Sequence, residues 1–160
     1  MKEVADKIRA TVEAAIIQFR ETTDQEASIK PSPTKWSQKE ILGHLIDSAG
    51  NNQQKFVRAM QQPHTDFVGY AQDFWVAAQR YNDNNWLRII ALWVAMQRHI
   101  AFIIENVPPS ALDNTISIDG SEPFTLRFIM EDYGEHLTHH LKQIFPNGGF
   151  VSRFSNVYNA

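Results

Sequence analysis

Apolar residues recur along this chain at steps of three and four, the spacing that gathers them on one face of an α-helix. Val4, Ile8, Val12, Ile16 and Phe19 mark a first amphipathic helix over about residues 2–22, and the prolines of residues 29–34 then break the pattern. A second helix opens on Ser37-Gln38-Lys39-Glu40, a capping box in which hydroxyl and carboxylate satisfy each other's backbone amides, with Trp36 and Ile41 placed as a hydrophobic staple. Its inner face runs through Leu45, Ala49, Asn52, Phe56 and Ala59 until Pro63 stops it. Residues 73–81 predict a short helix and residues 82–85 a turn that supplies a cap. Trp86, Ile89 or Ile90, Trp93, Met96 or Gln97, Ile100 and Ile103 or Ile104 carry a third long helix, ended by Val107-Pro108-Pro109. Residues 116–121 read as a short strand or hairpin. A fourth long helix spans about residues 125–145, with Leu126, Ile129, Tyr133, Leu137, His140, Leu141 and Ile144 inward, before Pro146-Asn147-Gly148-Gly149 breaks it. Four long helices with a long crossover between the second and third predict an all-α four-helix bundle over residues 1–147, with a patternless tail at 148–160.

Composition narrows the function classes. The 160 residues, 43% of them apolar and 21% charged, suit one soluble globular domain. A net charge of -3 with scattered Lys and Arg leaves no electrostatic footprint for nucleic acid. The first six residues lack the apolar run of a signal peptide, and no stretch of ~18 consecutive apolar residues suits a membrane span, so a cytoplasmic location is expected. The absence of cysteine excludes disulfides, thiolate zinc sites and a cysteine nucleophile. Any nucleophilic sulfur must arrive with a substrate or cosubstrate.

The candidate chemistry lies in histidines. His136 and His140 sit one turn apart on the fourth helix, so both imidazoles can address one ion, and His44 lies at the edge of the inner face of the second. Three imidazoles from facing helices would complete a nitrogen site with a coordination position left open, which suits a metal that activates a ligand. The alternative is that the pair are core-edge imidazoles hydrogen-bonded to their neighbours. His64 and His99 lack such a setting and read as surface or packing residues, and His139 points further outward. Asp47, three residues after His44, and Asp132, one turn before His136, are the carboxylates placed to orient imidazoles or take a catalytic role; both also suit a solvated helix surface. Asn51 and Gln143 are orienting groups or plain polar edges, Tyr70, Asp73 and Trp75 are placed to line a cleft, and Trp36, Trp86 and Trp93 read as structural.

These residues carry a resemblance. Trp36-Ser37-x-Lys39-Glu40-Ile41-Leu42-Gly43-His44-Leu45-Ile46-Asp47-Ser48 is similar to the opening signature of the DinB/YfiT-like superfamily, and His136-Leu137-Thr138-His139-His140-Leu141-Lys142-Gln143-Ile144 to its closing one. Tyr70-x-x-Asp73-x-Trp75, Tyr81-Asn82-x-x-x-Trp86 and Trp93 fall between them in the expected order. The resemblance implies a four-helix bundle with a divalent metal, zinc or nickel foremost, held by His44, His136 and His140. It also implies a small-molecule substrate, pairing into a homodimer as one option, and transfer of a low-molecular-weight thiol such as bacillithiol or mycothiol to an electrophile. Metal-dependent hydrolysis and a non-catalytic metal-binding bundle are the alternatives. Some relatives carry a further histidine where this chain has Ala49, which separates it from those members.

Overall fold

A computed structural model describes residues 1–157. The four long helices are α1 (Lys2–Glu21), α3 (Gln38–Ala59), α5 (Trp86–Glu105) and α6 (Leu126–Ile144), with two short ones, α2 (Asp24–Ser28) and α4 (Gln72–Ala78), in the connections. Around the bundle the order is α1, α5, α3, α6: each long helix packs on two neighbours, and α1 faces α3 across the core. Arg98 on α5 reaches Glu13 on α1 and Phe19 meets Trp86, so α1 and α5 are antiparallel. On α3 and α5, Lys39 bonds the Asn84 carbonyl and Gln53 meets His99, so these neighbours run parallel. Parallel neighbours of this length need a return path of about 30 Å. That is why residues 60–85 form a long crossover rather than a hairpin turn.

The crossover is partly built as sheet. Strands β1 (His64–Phe67), β2 (Thr115–Ile118) and β3 (Phe124–Thr125) lie in that order, β1 parallel to β2 and β2 antiparallel to β3. The predicted element at residues 116–121 is thus a strand one residue earlier, followed by a turn. Asp119 and Gly120 both have positive φ (50° and 78°), and the Ser121 amide donates to the Ile118 carbonyl at 2.9 Å, the Asp-Gly hairpin geometry. The fold remains a helical bundle, and the sheet is a small cap at the end where α3 and α5 finish.

The short α2 was not anticipated, although Thr23 and Glu26 form a complete capping box. It ties three elements together: Asp24 accepts from the buried Lys39 ammonium at 3.0 Å and from the Trp86 backbone amide at 2.7 Å. Beside it Phe19 meets Trp86 and Trp93 edge-on, both centroids at 5.3 Å, in the centre of the core. The predicted helix at 73–81 is observed as α4, and Tyr81–Asp83 becomes a separate 3-10 turn after Arg80 takes a left-handed conformation. By length and composition α5 is apolar enough to cross a membrane, with mean hydropathy 1.5, yet its Trp86, Ile89, Trp93, Ile100 and Ile104 are buried within the bundle.

Candidate metal centre

The site is built where α3 begins and α6 ends. The Ser37 capping box fixes the start of α3: the Ser37 hydroxyl accepts from the Glu40 amide at 3.2 Å, and Glu40 accepts from the Ser37 amide at 2.8 Å. His44 follows two turns later and is buried. Because α3 and α6 are antiparallel, His44 arrives opposite the last two turns of α6. There the Nε2 of His136 lies 3.4 Å from the Nε2 of His44 and 3.1 Å from that of His140. One ligand atom from each of the three lies within 4.8 Å of the others.

Three nitrogens bonded at 2.0–2.1 Å to a tetrahedral ion stand about 3.4 Å apart. The 3.1 and 3.4 Å separations match that edge length as well as the reach of an N–H···N hydrogen bond between neutral imidazoles. Gathering one nitrogen from each of three rings is the arrangement a cation needs. Protonation states agree. Burial pushes His44 down to about 3 and His140 to about 4, and His136 falls well below its ordinary value through burial and the charges of its histidine neighbours. All three imidazoles are therefore neutral at physiological pH, the form that ligates. The Nδ1 of His140 faces Gln143 Oε1 at 2.9 Å, so its N–H donates there and the lone pair stays on Nε2. The donor set fits a divalent cation.

The orienting groups differ in part from expectation. Gln143 holds His140. Asp47 does not bond His44: its Oδ1 accepts from Gln79 at 2.6 Å and Tyr81 at 2.7 Å, while Asp47 Oδ2 and His44 Nδ1 are both buried without a partner. Burial raises the Asp47 carboxyl despite these two donors. The close approach of Tyr81 depends on Gly43, where a Cβ would lie 2.1 Å from the ring. Asn51 bonds the Asp47 carbonyl of its own helix and takes no part in the site. His99 and His64 are surface residues, the latter on β1 beside Thr115.

Two aromatic residues complete the surroundings. Trp36, expected only as a staple, lies against the His44 ring at 5.1 Å and 37°. The tail, which carries no periodic signal, folds back onto α6: Ser152 bonds the Glu135 carbonyl, the Arg153 amide donates to the Glu135 carboxylate, and Phe154 lies 5.1 Å from His136. The histidines open on a cavity of about 550 Å³ lined by Ser48, Asn52, Lys55, Tyr70, Asp132 and Tyr133 among others. Of the three predicted cleft residues Tyr70 lines it, with Trp75 packed 5.0 Å from the Tyr70 ring, whereas Asp73 is exposed on α4. His139 reaches the rim but stands outside the three-nitrogen cluster.

A helical bundle that aims a set of histidine nitrogens from two facing helices into an open cavity is a recognisable class of protein. The chain belongs to the DinB superfamily, whose family model matches residues 4–144. Among solved structures it is similar to YfiT from Bacillus subtilis, described as a probable metal-dependent hydrolase with an unusual four-helix bundle topology. The two superpose with a TM-score of 0.71 at 18% identity, over 91% of this chain and 79% of that one, a likeness of fold. No curated protein matches the sequence.

Proposed function

We propose that this chain is a metal-dependent enzyme for a small-molecule substrate, with His44, His136 and His140 holding a divalent cation at one end of the cavity. The observation that carries the reading is the convergence of three neutral Nε2 atoms, at 3.1 and 3.4 Å, beside a space large enough for a ligand. A divalent cation bound there supplies Lewis-acid polarisation and lowers the pKa of water or a thiol it binds. The protein's own groups do the rest. Gln143 fixes the His140 tautomer, and Trp36 holds the plane of His44. Burial and the Asp47 charge keep the Tyr70 hydroxyl protonated, so it can donate to negative charge developing on a substrate. Asp132, on the cavity wall, is the carboxylate assigned to proton transfer, whereas Asp47 is engaged by Tyr81 and Gln79.

Hydrolysis is the reaction placed first, supported by the description of YfiT. Thiol transfer to an electrophile is the second reading, favoured by a cavity with room for a cosubstrate in a chain that has no cysteine of its own. The test loads the protein with zinc or nickel and offers a panel of esters and amides, then low-molecular-weight thiols with a chloro-aromatic electrophile. Metal-dependent turnover of the first panel supports hydrolysis, and thiol consumption supports transfer. Stoichiometric metal with no turnover in either would leave a non-catalytic metal-binding bundle and overturn the proposal.

A further inference from the structure

Lys55 lies on α3 eleven residues beyond His44, three helical turns further along the same face and about 16 Å away along the axis. It lines the cavity that holds the histidines, and its charge is near enough to weigh on the His136 imidazole. Among the described residues its ammonium makes no hydrogen bond and no ion pair within 4.0 Å; it lies over the face of the Phe67 ring, 5.6 Å from the centroid. Of the two carboxylates on the cavity wall, Asp119 is turned to the crossover, where it accepts the Gly69 amide at 2.8 Å. The other, Asp132, stands on α6. Ser48, Asn52 and Tyr70 add neutral hydrogen-bonding groups.

A partly buried ammonium with no hydrogen bond and no close ion pair has lost water for little in exchange, here the Phe67 ring face and the more distant Asp119 charge. Burial accordingly weakens its hold on its proton, with only the Asp119 charge opposing. An anion from outside would restore what the fold withholds, through charge-assisted hydrogen bonds. With a divalent cation at the histidines, cationic groups outweigh the two wall carboxylates, and the cavity becomes a field for negative charge.

We propose that the ligand of this cavity is a small organic anion, and that Lys55 binds its negative group while the other end of the molecule lies at the three histidines. This rests on the metal-site reading above and names the substrate class for it. The probes are 3-mercaptopropionate and 3-mercaptopropionamide, which differ only in the carboxylate. Each is titrated calorimetrically into cobalt-loaded wild type, Lys55→Gln and Lys55→Arg, with thermal melts to confirm that the variants fold. Wild type is expected to bind the acid at least about tenfold more tightly than the amide, the worth of one charge-assisted hydrogen bond. Lys55→Gln should abolish that preference and Lys55→Arg should restore most of it. An undiminished preference in Lys55→Gln overturns the proposal, as does wild type that holds cobalt but prefers neither probe. Wild type that fails to bind cobalt ends the metal reading instead, and the acid-over-amide preference of the metal-free protein then decides the present proposal alone.

Discussion

At the scale of single residues the site is a matter of who satisfies whom. His136 is the central member of the cluster, the one whose Nε2 approaches both others, and it makes no described hydrogen bond outside it. His136→Ala should therefore lower bound metal from about one equivalent to near none, read by elemental analysis after gel filtration, while leaving the metal-free fold intact. A packing histidine would give the opposite result, unchanged metal with reduced stability. Gly43 tests the positioning network from a different side. A methyl group there would meet the Tyr81 ring, whose hydroxyl holds Asp47, so Gly43→Ala should destabilise by about 1–3 kcal/mol in denaturant unfolding. The pairing of His136 with His140 was legible because four residues on one helix fix a common face. The roles of Gly43 and Asp47 were not: they depend on Tyr81, which arrives from the far end of a crossover whose path no local pattern encodes.

Among the elements, long helices with strong end signals were legible; the five-residue α2, too short to show a period despite its Thr23–Glu26 box, and the elements held by neighbours were not. The Ser37 box predicted the start of α3 and so the depth at which His44 sits. In the folded protein the same hydroxyl also donates to Asn82 Oδ1 at 2.6 Å, joining the start of α3 to the 3-10 turn that follows α4. Ser37→Ala removes the cap and strands Asn82, at a cost of about 1–2 kcal/mol in a thermal or denaturant melt. Metal affinity should fall with it, because the first two turns of α3 carry His44; Ser37→Thr, which keeps the hydroxyl, should retain both. Strand β1 had no comparable signal. His64–Phe67 contains no alternation long enough to read, and it exists because β2 offers it a parallel partner fifty-one residues later, from His64↔Thr115 to Phe67↔Ile118. The tail is the same case at the site itself, since Phe154 reaches His136 only by way of anchors on Glu135.

For the whole molecule, the antiparallel α3–α6 pair brings three ionisable groups into a buried cluster, and the fold must keep them uncharged when no metal is present. This fixes the sign of the acid response. Below the ordinary histidine value of 6.5 the unfolded chain takes up protons that the folded protein refuses until about 4 at His140 and about 3 at His44, with His136 lowered as well. The unfolded state then binds more protons, so stability falls as pH drops through that window. Asp47 acts in the other direction, because burial raises its carboxyl and the folded protein holds that proton more firmly than the unfolded chain. One opposing carboxyl does not offset three histidines. The metal-free melting temperature should accordingly change little between about pH 8 and 7 and decline steadily from there to about pH 4. A bound cation replaces the missing protons as the partner of the three lone pairs, so at neutral pH added metal should raise the melting temperature and a chelator should return it. At a free metal concentration a hundredfold above Kd the gain is about 2.7 kcal/mol. Both effects belong to the same nitrogens. His136→Ala should therefore remove the metal-dependent rise and make the acid decline shallower without abolishing it, because His44 and His140 keep their own burial; a variant that kept the metal-dependent rise would separate the cluster from the site assigned to it.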